Sequence, residues 1–171
     1  MDLKSVVLDI QCFKDNVNNF IIKEVACLDI DTGTLLFHHI VKPPYERKLL
    51  LPEKVRECSW LTNNFHGLDW YDGDILYTDA LDAIKRVLRN SLTVYVKCNQ
   101  KMKFINSLIS EYCDVVNLEV RGCPSLKFLN NLYKSDTLRC NSHKYTEHIC
   151  SLSNVVNLRK WYTQQYLQYE L

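Results

Sequence analysis

In the N-terminal part of the chain, hydrophobic residues recur in short β-branched runs separated by turn residues, the pattern of strands. Val6-Val7-Leu8-Asp9-Ile10 is the first such run, and Asn16-Val17-Asn18-Asn19 supplies the turn that follows it. Phe20 to Ile30 is strongly apolar with Lys23, Glu24 and Asp29 interspersed, and Asp31-Thr32-Gly33-Thr34 is a hairpin signal ahead of Leu35 to Val41. These runs predict three antiparallel strands in a meander, ended by Pro43-Pro44. A loop-rich region carrying Trp60, His66-Gly67 and Trp70-Tyr71-Asp72-Gly73 comes next.

The period then changes. Ala80, Leu81, Ile84, Val87 and Leu88 fall at helical spacing, Leu92 to Val96 reads as a buried strand, and Phe104, Ile105, Leu108, Ile109 and Tyr112 mark one face of another helix. Val115 to Val120 predicts a further strand, and Gly122-Cys123-Pro124 breaks the chain. Pro124 suits a first helical turn leading into Leu126, Phe128, Leu129 and Leu132. A last helix begins near Cys150, with Val155, Leu158, Trp161 and Tyr162 on its apolar side. Three antiparallel strands followed by alternating helices and strands predict an α/β fold, a mixed sheet covered by helices.

Composition narrows the class without changing that picture. A length of 171 residues, 47% hydrophobic and 24% charged, with four glycines and four prolines, predicts one folded domain over residues 1–171 rather than a disordered or fibrous chain. Net charge of +1 provides no overall field for nucleic acid, so RNA binding requires a local basic strip. No apolar stretch approaches the ~20 residues needed to cross a bilayer, so no membrane partner is expected. The N-terminus lacks a signal-peptide apolar region, which predicts a cytoplasmic or nuclear protein. In such a reducing compartment the eight cysteines read as buried hydrophobes or metal ligands, and Cys12, Cys27, Cys58, Cys98 and Cys113 are assigned to the core.

The sharpest chemical signal is Cys140-Asn-Ser-His143, followed after six residues by Cys150. Two soft ligands two residues apart clamp an ion from one turn, and a third arrives from the start of the next element, which suits tetrahedral zinc. The fourth ligand comes from elsewhere. His38, His39 and His66 are isolated and read as hydrogen-bonded or exposed. Lys97, Lys101 and Lys103 gather at one presumed edge, and Arg121, Lys127, Lys144, Arg159 and Lys160 supply a second strip. With Trp60, Trp70 and Tyr71 these could take single-stranded RNA by charge and stacking; a solvated basic face is the alternative.

The order of elements and the residues within them resemble the RNase H-like fold of the DEDD exonuclease superfamily, in its DEDDh form. There the first strand carries Asp-x-Glu, the last helix begins with His-x-Ala-x-x-Asp, and four carboxylates hold two divalent ions. Asp9-Ile10-Gln11 occupies the first motif with an amide in place of the second acid. Val96-Lys97-Cys98-Asn99-Gln100-Lys101 falls where a strand end is followed by an acid. Ile149 to Asn154 aligns with the last motif, with Ile149 at the base position and Asn154 at the final acid; a shift of one residue brings His148 and Ser153 there instead. The resemblance therefore implies a degenerate nuclease site at Asp9, Gln11 and Asn154, since magnesium depends on anionic oxygen ligands.

More narrowly, the chain is similar to the Maelstrom domain, a member of this fold that lacks the acidic tetrad and carries a Glu-Cys-His-Cys zinc set. Arenavirus nucleoprotein exonuclease domains share that set while keeping the acids. By position the resemblance implies Glu24, Cys140, His143 and Cys150 as ligands of a structural Zn2+. An acid in the middle of an apolar strand is costly unless paired or coordinated, which favours Glu24; Cys123 is the rival, with close packing at a turn as its other role. A filled set of four leaves no open position for a catalytic water.

Three functions follow as expectations. The first is a pseudoenzyme that binds single-stranded RNA or a protein partner, in small-RNA or transposon-related pathways. The second is a metal-independent single-stranded RNA ribonuclease of Maelstrom type, with His148 and Glu147 as acid–base groups. The third is a structural interaction domain using the loop from Pro43 to Trp70.

Overall fold

Three antiparallel strands, β1 (Lys4–Lys14), β2 (Phe20–Asp29) and β3 (Leu35–Ile40), open the computed structural model. The structure describes residues 4–109, 113–134 and 138–166. Helices α1 (Pro52–Asn64) and α2 (Tyr77–Arg89) follow, then β4 (Ser91–Val96), α3 (Asn99–Ser107), β5 (Asp114–Asn117), α4 (Leu126–Leu132) and α5 (Ser151–Tyr166). The strands form one mixed sheet in the order β3-β2-β1-β4-β5, with β4 and β5 parallel to β1. Strand alternation sorts β1 into two faces. Val6, Leu8 and Ile10 pack with Ala80, Ile84, Leu88 and Ile105 of α2 and α3. Val7 points the other way, into a core with Val155, Leu158 and Trp161 of α5 and Leu129 of α4.

A bulge interrupts the β1–β2 ladder: Gln11 pairs with Glu24 and Cys12 with Ile22, which leaves Lys23 as the extra residue. The bulge reverses the alternation, so that Ile22 joins Val25 and Cys27 on the α2 face while Glu24 stays beneath α5. The buried Lys23 ammonium then donates to the carbonyls of Val41 (3.1 Å), Trp70 (2.9 Å) and Asp72, tying the long connection back to the sheet.

Four readings of the sequence need correction. The region from Pro44 to Trp70 contains α1, whose Pro52 at the first helical turn and Glu53 beside it are good N-terminal signals. The strand expected over Val115 to Val120 ends at Asn117, because the Asn117 side chain accepts from Glu119 N at 3.0 Å and caps a 3-10 turn (Leu118–Arg121) closed by Gly122 at φ +82°. Pro124 precedes α4 instead of opening it: Ser125 is the cap, its hydroxyl accepting from Phe128 N at 3.1 Å. The helix expected to reach Tyr112 ends at Ser107, and Tyr112 lies outside the described residues. Among the described residues no helix is long and apolar enough to cross a membrane.

Candidate metal centre and degenerate nuclease site

Asp9 and Gln11 on β1 share the face beneath α5 with Glu24 and Ala26, their cross-strand partners on β2, which pair as Asp9 with Ala26 and Gln11 with Glu24. The first turn of α5 crosses both positions. The Ser151 backbone N–H donates to Glu24 Oε2 at 3.0 Å, and the Asn154 side-chain amide donates to Asp9 Oδ2 at 2.8 Å. One helical turn therefore serves two adjacent centres.

At the first centre, Glu24, Cys140, His143 and Cys150 present ligand atoms that all lie within 4.8 Å of one another. Glu24 Oε1 is 3.7 Å from Cys140 Sγ, 3.6 Å from Cys150 Sγ and 3.2 Å from His143 Nε2, and the two sulfurs are 3.7 Å apart. A tetrahedral zinc with bonds of 2.0–2.3 Å to oxygen, nitrogen and sulfur requires edges between ligands of roughly 3.3–3.8 Å. The three edges from Glu24 and the edge between the sulfurs lie close to that range, so the four residues could hold a metal ion, and this donor set suits zinc. His143 Nδ1 donates to the His66 carbonyl, which fixes the tautomer and turns Nε2 toward the other three.

The backbone of residues 65–67, just beyond α1, forms the platform for this segment. Ile149 N donates to Phe65 O at 2.9 Å and Lys144 N to Gly67 O at 3.1 Å. Gly67 has φ +68°, and a side chain there would run into His148 and the Lys144 backbone.

Charges at the centre are strongly coupled. Burial alone would raise Glu24, but hydrogen bonds from His143 and His38 hold it down at about 2. Burial opposes charge on His143, yet its contacts with Cys150 and Glu24 push it up to about 10. The contact between the two thiols lowers Cys150 and raises Cys140.

His38, read from the sequence as hydrogen-bonded or exposed, is hydrogen-bonded, and its partner is Glu24. His38 stands opposite Ala26 on β3, diagonal to Glu24, and its Nε2 lies 2.8 Å from Glu24 Oε1. His66, read the same way, is fully buried: Nδ1 accepts from Leu68 N at 3.1 Å, Nε2 has no partner among the described residues, and burial drives its pKa down to about 3.

At the second centre Asp9 is fully buried, and three side-chain donors converge on its carboxylate. Lys101 Nζ lies 2.6 Å from Oδ1, while the amides of Gln11 (3.2 Å) and Asn154 (2.8 Å) converge on Oδ2. The chain of donors continues outward, Asn130 giving to Asn154 at 3.3 Å and Asn157 to Asn130 at 2.7 Å. This arrangement satisfies one carboxylate with an ammonium and amides.

Several residues of the expected basic strips have internal partners. Lys101 is taken by Asp9, Lys97 is buried and pairs with Glu119 at 2.8 Å, Arg159 donates to the carbonyls of Ile30 and Asp31, and Lys160 lies over the Tyr133 ring. Lys103 is exposed. Trp70 is buried and unavailable for stacking, whereas Trp60 and Tyr71 are exposed. His148, the expected acid–base group, is buried with both nitrogens committed: Nδ1 accepts from Tyr145 N at 3.2 Å and Nε2 donates to Asn63 O at 3.1 Å. Glu147 is exposed. Cys123 lies in the α4–α5 core, as a packing residue. Of the five cysteines assigned to the core, Cys27 and Cys58 are buried, and Cys12, Cys98 and Cys113 only partly so.

One cavity borders the second centre, and another shares part of its lining. The first, of about 150 Å³, is lined by Gln11, Lys101, Phe65, Leu126 and Ile149. The other, of about 310 Å³, is lined by Lys14, Glu57, Trp60 and Leu61, and both share Cys12 and Phe20.

No family model matches the chain, and no curated protein matches it in sequence. Solved structures do. Exonuclease X in complex with 5′ overhanging duplex DNA superposes with a TM-score of 0.53 at 12% identity, covering 94% of this chain and 92% of that one. The Neurospora crassa Pan2 catalytic unit, comprising protease and nuclease domains, superposes at 0.63 with 11% identity over 98% of this chain, which spans 27% of that larger one. The fold is therefore the RNase H-like fold of DEDD-type exonucleases.

Proposed function

We propose that this chain is a catalytically degenerate exonuclease-fold module, stapled by a structural zinc ion and binding single-stranded RNA through the cleft beside its former metal site. The observation that carries the reading is the pairing of Asp9 with Lys101 at 2.6 Å, flanked by Gln11 and Asn154. Two-metal hydrolysis needs several carboxylates to hold hard cations. Here one carboxylate remains, and a lysine neutralises it.

Zinc would take Glu24 Oε1, Cys140 Sγ, His143 Nε2 and Cys150 Sγ. It would supply cross-linking rather than hydrolysis, because the set occupies all four positions. The cross-link joins the middle of β2 to the start of α5 and to the segment before it, closing a long connection. Similarity to the Maelstrom domain agrees with this set and with the missing acids.

RNA binding rests on the cleft. Exposed Trp60 offers a stacking face, and Lys14 supplies positive charge along the same cavity. A protein partner is the other candidate occupant. The ribonuclease alternative draws little support, since neither nitrogen of His148 is free to move a substrate proton.

The test is labelled single-stranded RNA incubated with purified protein, in magnesium and in EDTA. The expected result is retention of intact RNA in both, weakened by Trp60→Ala. Magnesium-dependent trimming would overturn the degenerate reading, and the absence of any RNA retention would overturn the binding reading.

A further inference from the structure

We infer that His38 is a positioning residue of the metal centre, holding the Glu24 carboxylate so that Oε1 is the ligating oxygen; the inference rests on the zinc reading above. The two carboxylate oxygens are already distinguished. Oε2 accepts the Ser151 N–H at 3.0 Å, the first amide of α5, while Oε1 faces Cys140, Cys150 and His143. His38 Nε2 approaches that same Oε1 at 2.8 Å. A carboxylate oxygen has two lone pairs. One can point at a metal held by the thiolates and imidazole, and the other takes the His38 N–H, so one oxygen serves ion and orienting donor together.

Strand geometry makes the contact specific. Glu24 is paired with Ile40 and His38 with Ala26, so His38 and Glu24 are diagonal neighbours on one face. The small Ala26 side chain leaves the imidazole room to lean across toward Oε1. His38 is mostly buried, at 16% side-chain exposure, so little water competes for the bond. Glu24 is thus fixed from two sides, by a backbone N–H of α5 and by an imidazole of β3. A glutamate has three side-chain torsions and gains most from such restraint, and hydrogen-bonding partners of this kind typically account for 10–100-fold in metal affinity.

The test is competition for zinc between the protein and a chromophoric chelator, applied to the parent, His38→Leu and His38→Gln, with far-ultraviolet circular dichroism to check folding. Glutamine places an amide N–H near the Nε2 position, and leucine fills the space without a donor. Affinity is expected to fall roughly 10–100-fold in His38→Leu and to recover largely in His38→Gln. Cobalt substitution supplies the second readout. All three proteins are expected to keep a four-coordinate spectrum with the same thiolate charge-transfer band, weaker only in proportion to occupancy. Equal affinity in parent and His38→Leu, equal loss in both variants, or a changed cobalt coordination number in His38→Leu would overturn the inference. Failure of the parent itself to bind zinc or cobalt would instead strike the metal reading, so the two failures are distinguishable.

Discussion

Lys101 Nζ lies 2.6 Å from Asp9 Oδ1, an ion pair whose carboxylate is fully buried at the centre of the sheet. The ammonium acts as a built-in counter-ion. It arrives from α3, across from the β1 strand that carries Asp9, and the amides of Gln11 and Asn154 satisfy the remaining carboxylate oxygen. Removing either charge leaves the other buried without compensation. Lys101→Met and Asp9→Asn are each expected to destabilise the fold by about 3 kcal/mol, with the double variant well below the sum. Urea denaturation of the four proteins in a double-mutant cycle measures the coupling, and additive losses would contradict it.

Rebuilding the carboxylates tests the same centre from the opposite direction. A triple variant, Gln11→Glu, Asn154→Asp and Lys101→Ala, places three acids around a buried position with no internal cation. Like charges so close cannot all ionise without a partner. The variant is expected to be less stable than the parent in EDTA and to gain melting temperature on adding manganese, while the parent is indifferent to manganese. A parent that responds equally would show that Lys101 does not exclude the ion.

Gly67 links α1 to the metal segment. Its φ of +68° and its closeness to His148 and to Lys144 N leave no space for a side chain. Gly67→Ala is expected to cost about 2 kcal/mol or more through backbone strain and displacement of the 144–149 segment. It should also weaken zinc retention, because the neighbouring His66 carbonyl orients His143. Urea melts with and without chelator check both, and an unperturbed variant would show that the 65–67 platform does not hold the ligand segment.

Lys23 gives a pH signature. Burial depresses its pKa to about 8, partly offset by Asp72 and Asp69. Between pH 8 and the ordinary lysine value near 10.5 the unfolded chain binds more protons than the folded one, so stability rises with pH across that window. Lys23→Met has no such proton. The stability of the parent relative to this variant is therefore expected to increase from pH 8 to pH 10, read from paired denaturation curves. A flat or falling difference would mean that the three carbonyl acceptors outweigh the burial.

The parts legible in the sequence are those fixed by local pattern. The Asp31-Thr32-Gly33-Thr34 turn delivered its hairpin, with Gly33 at φ +76°, and the 140–150 spacing located three of the four clustered ligand atoms. The fourth, Glu24, came from resemblance, and its strand position is as expected. What stayed hidden depends on register or distance. His38 touches Glu24 only because β2 and β3 pair with Ala26 opposite His38. Lys101 and Asp9 are 92 residues apart, and Lys97 and Glu119 are 22 apart, so neither pair leaves a local trace of its neutralised charge. Helix α1 escaped notice because its inward residues, such as Val55, Cys58 and Leu61, are few among polar neighbours. Pro52 was the signal that could have found it.

The most direct measurement is X-ray absorption at the zinc edge on purified protein, with total zinc quantified on the same sample and on Cys140→Ser. The expected result is one zinc per chain, two sulfurs at about 2.3 Å and two nitrogen or oxygen ligands at about 2.0 Å, with the ion lost or weakly held in the variant. A folded parent without zinc, or an oxygen-only ion bound at Asp9, would contradict the replacement of hard-ion chemistry by a structural staple.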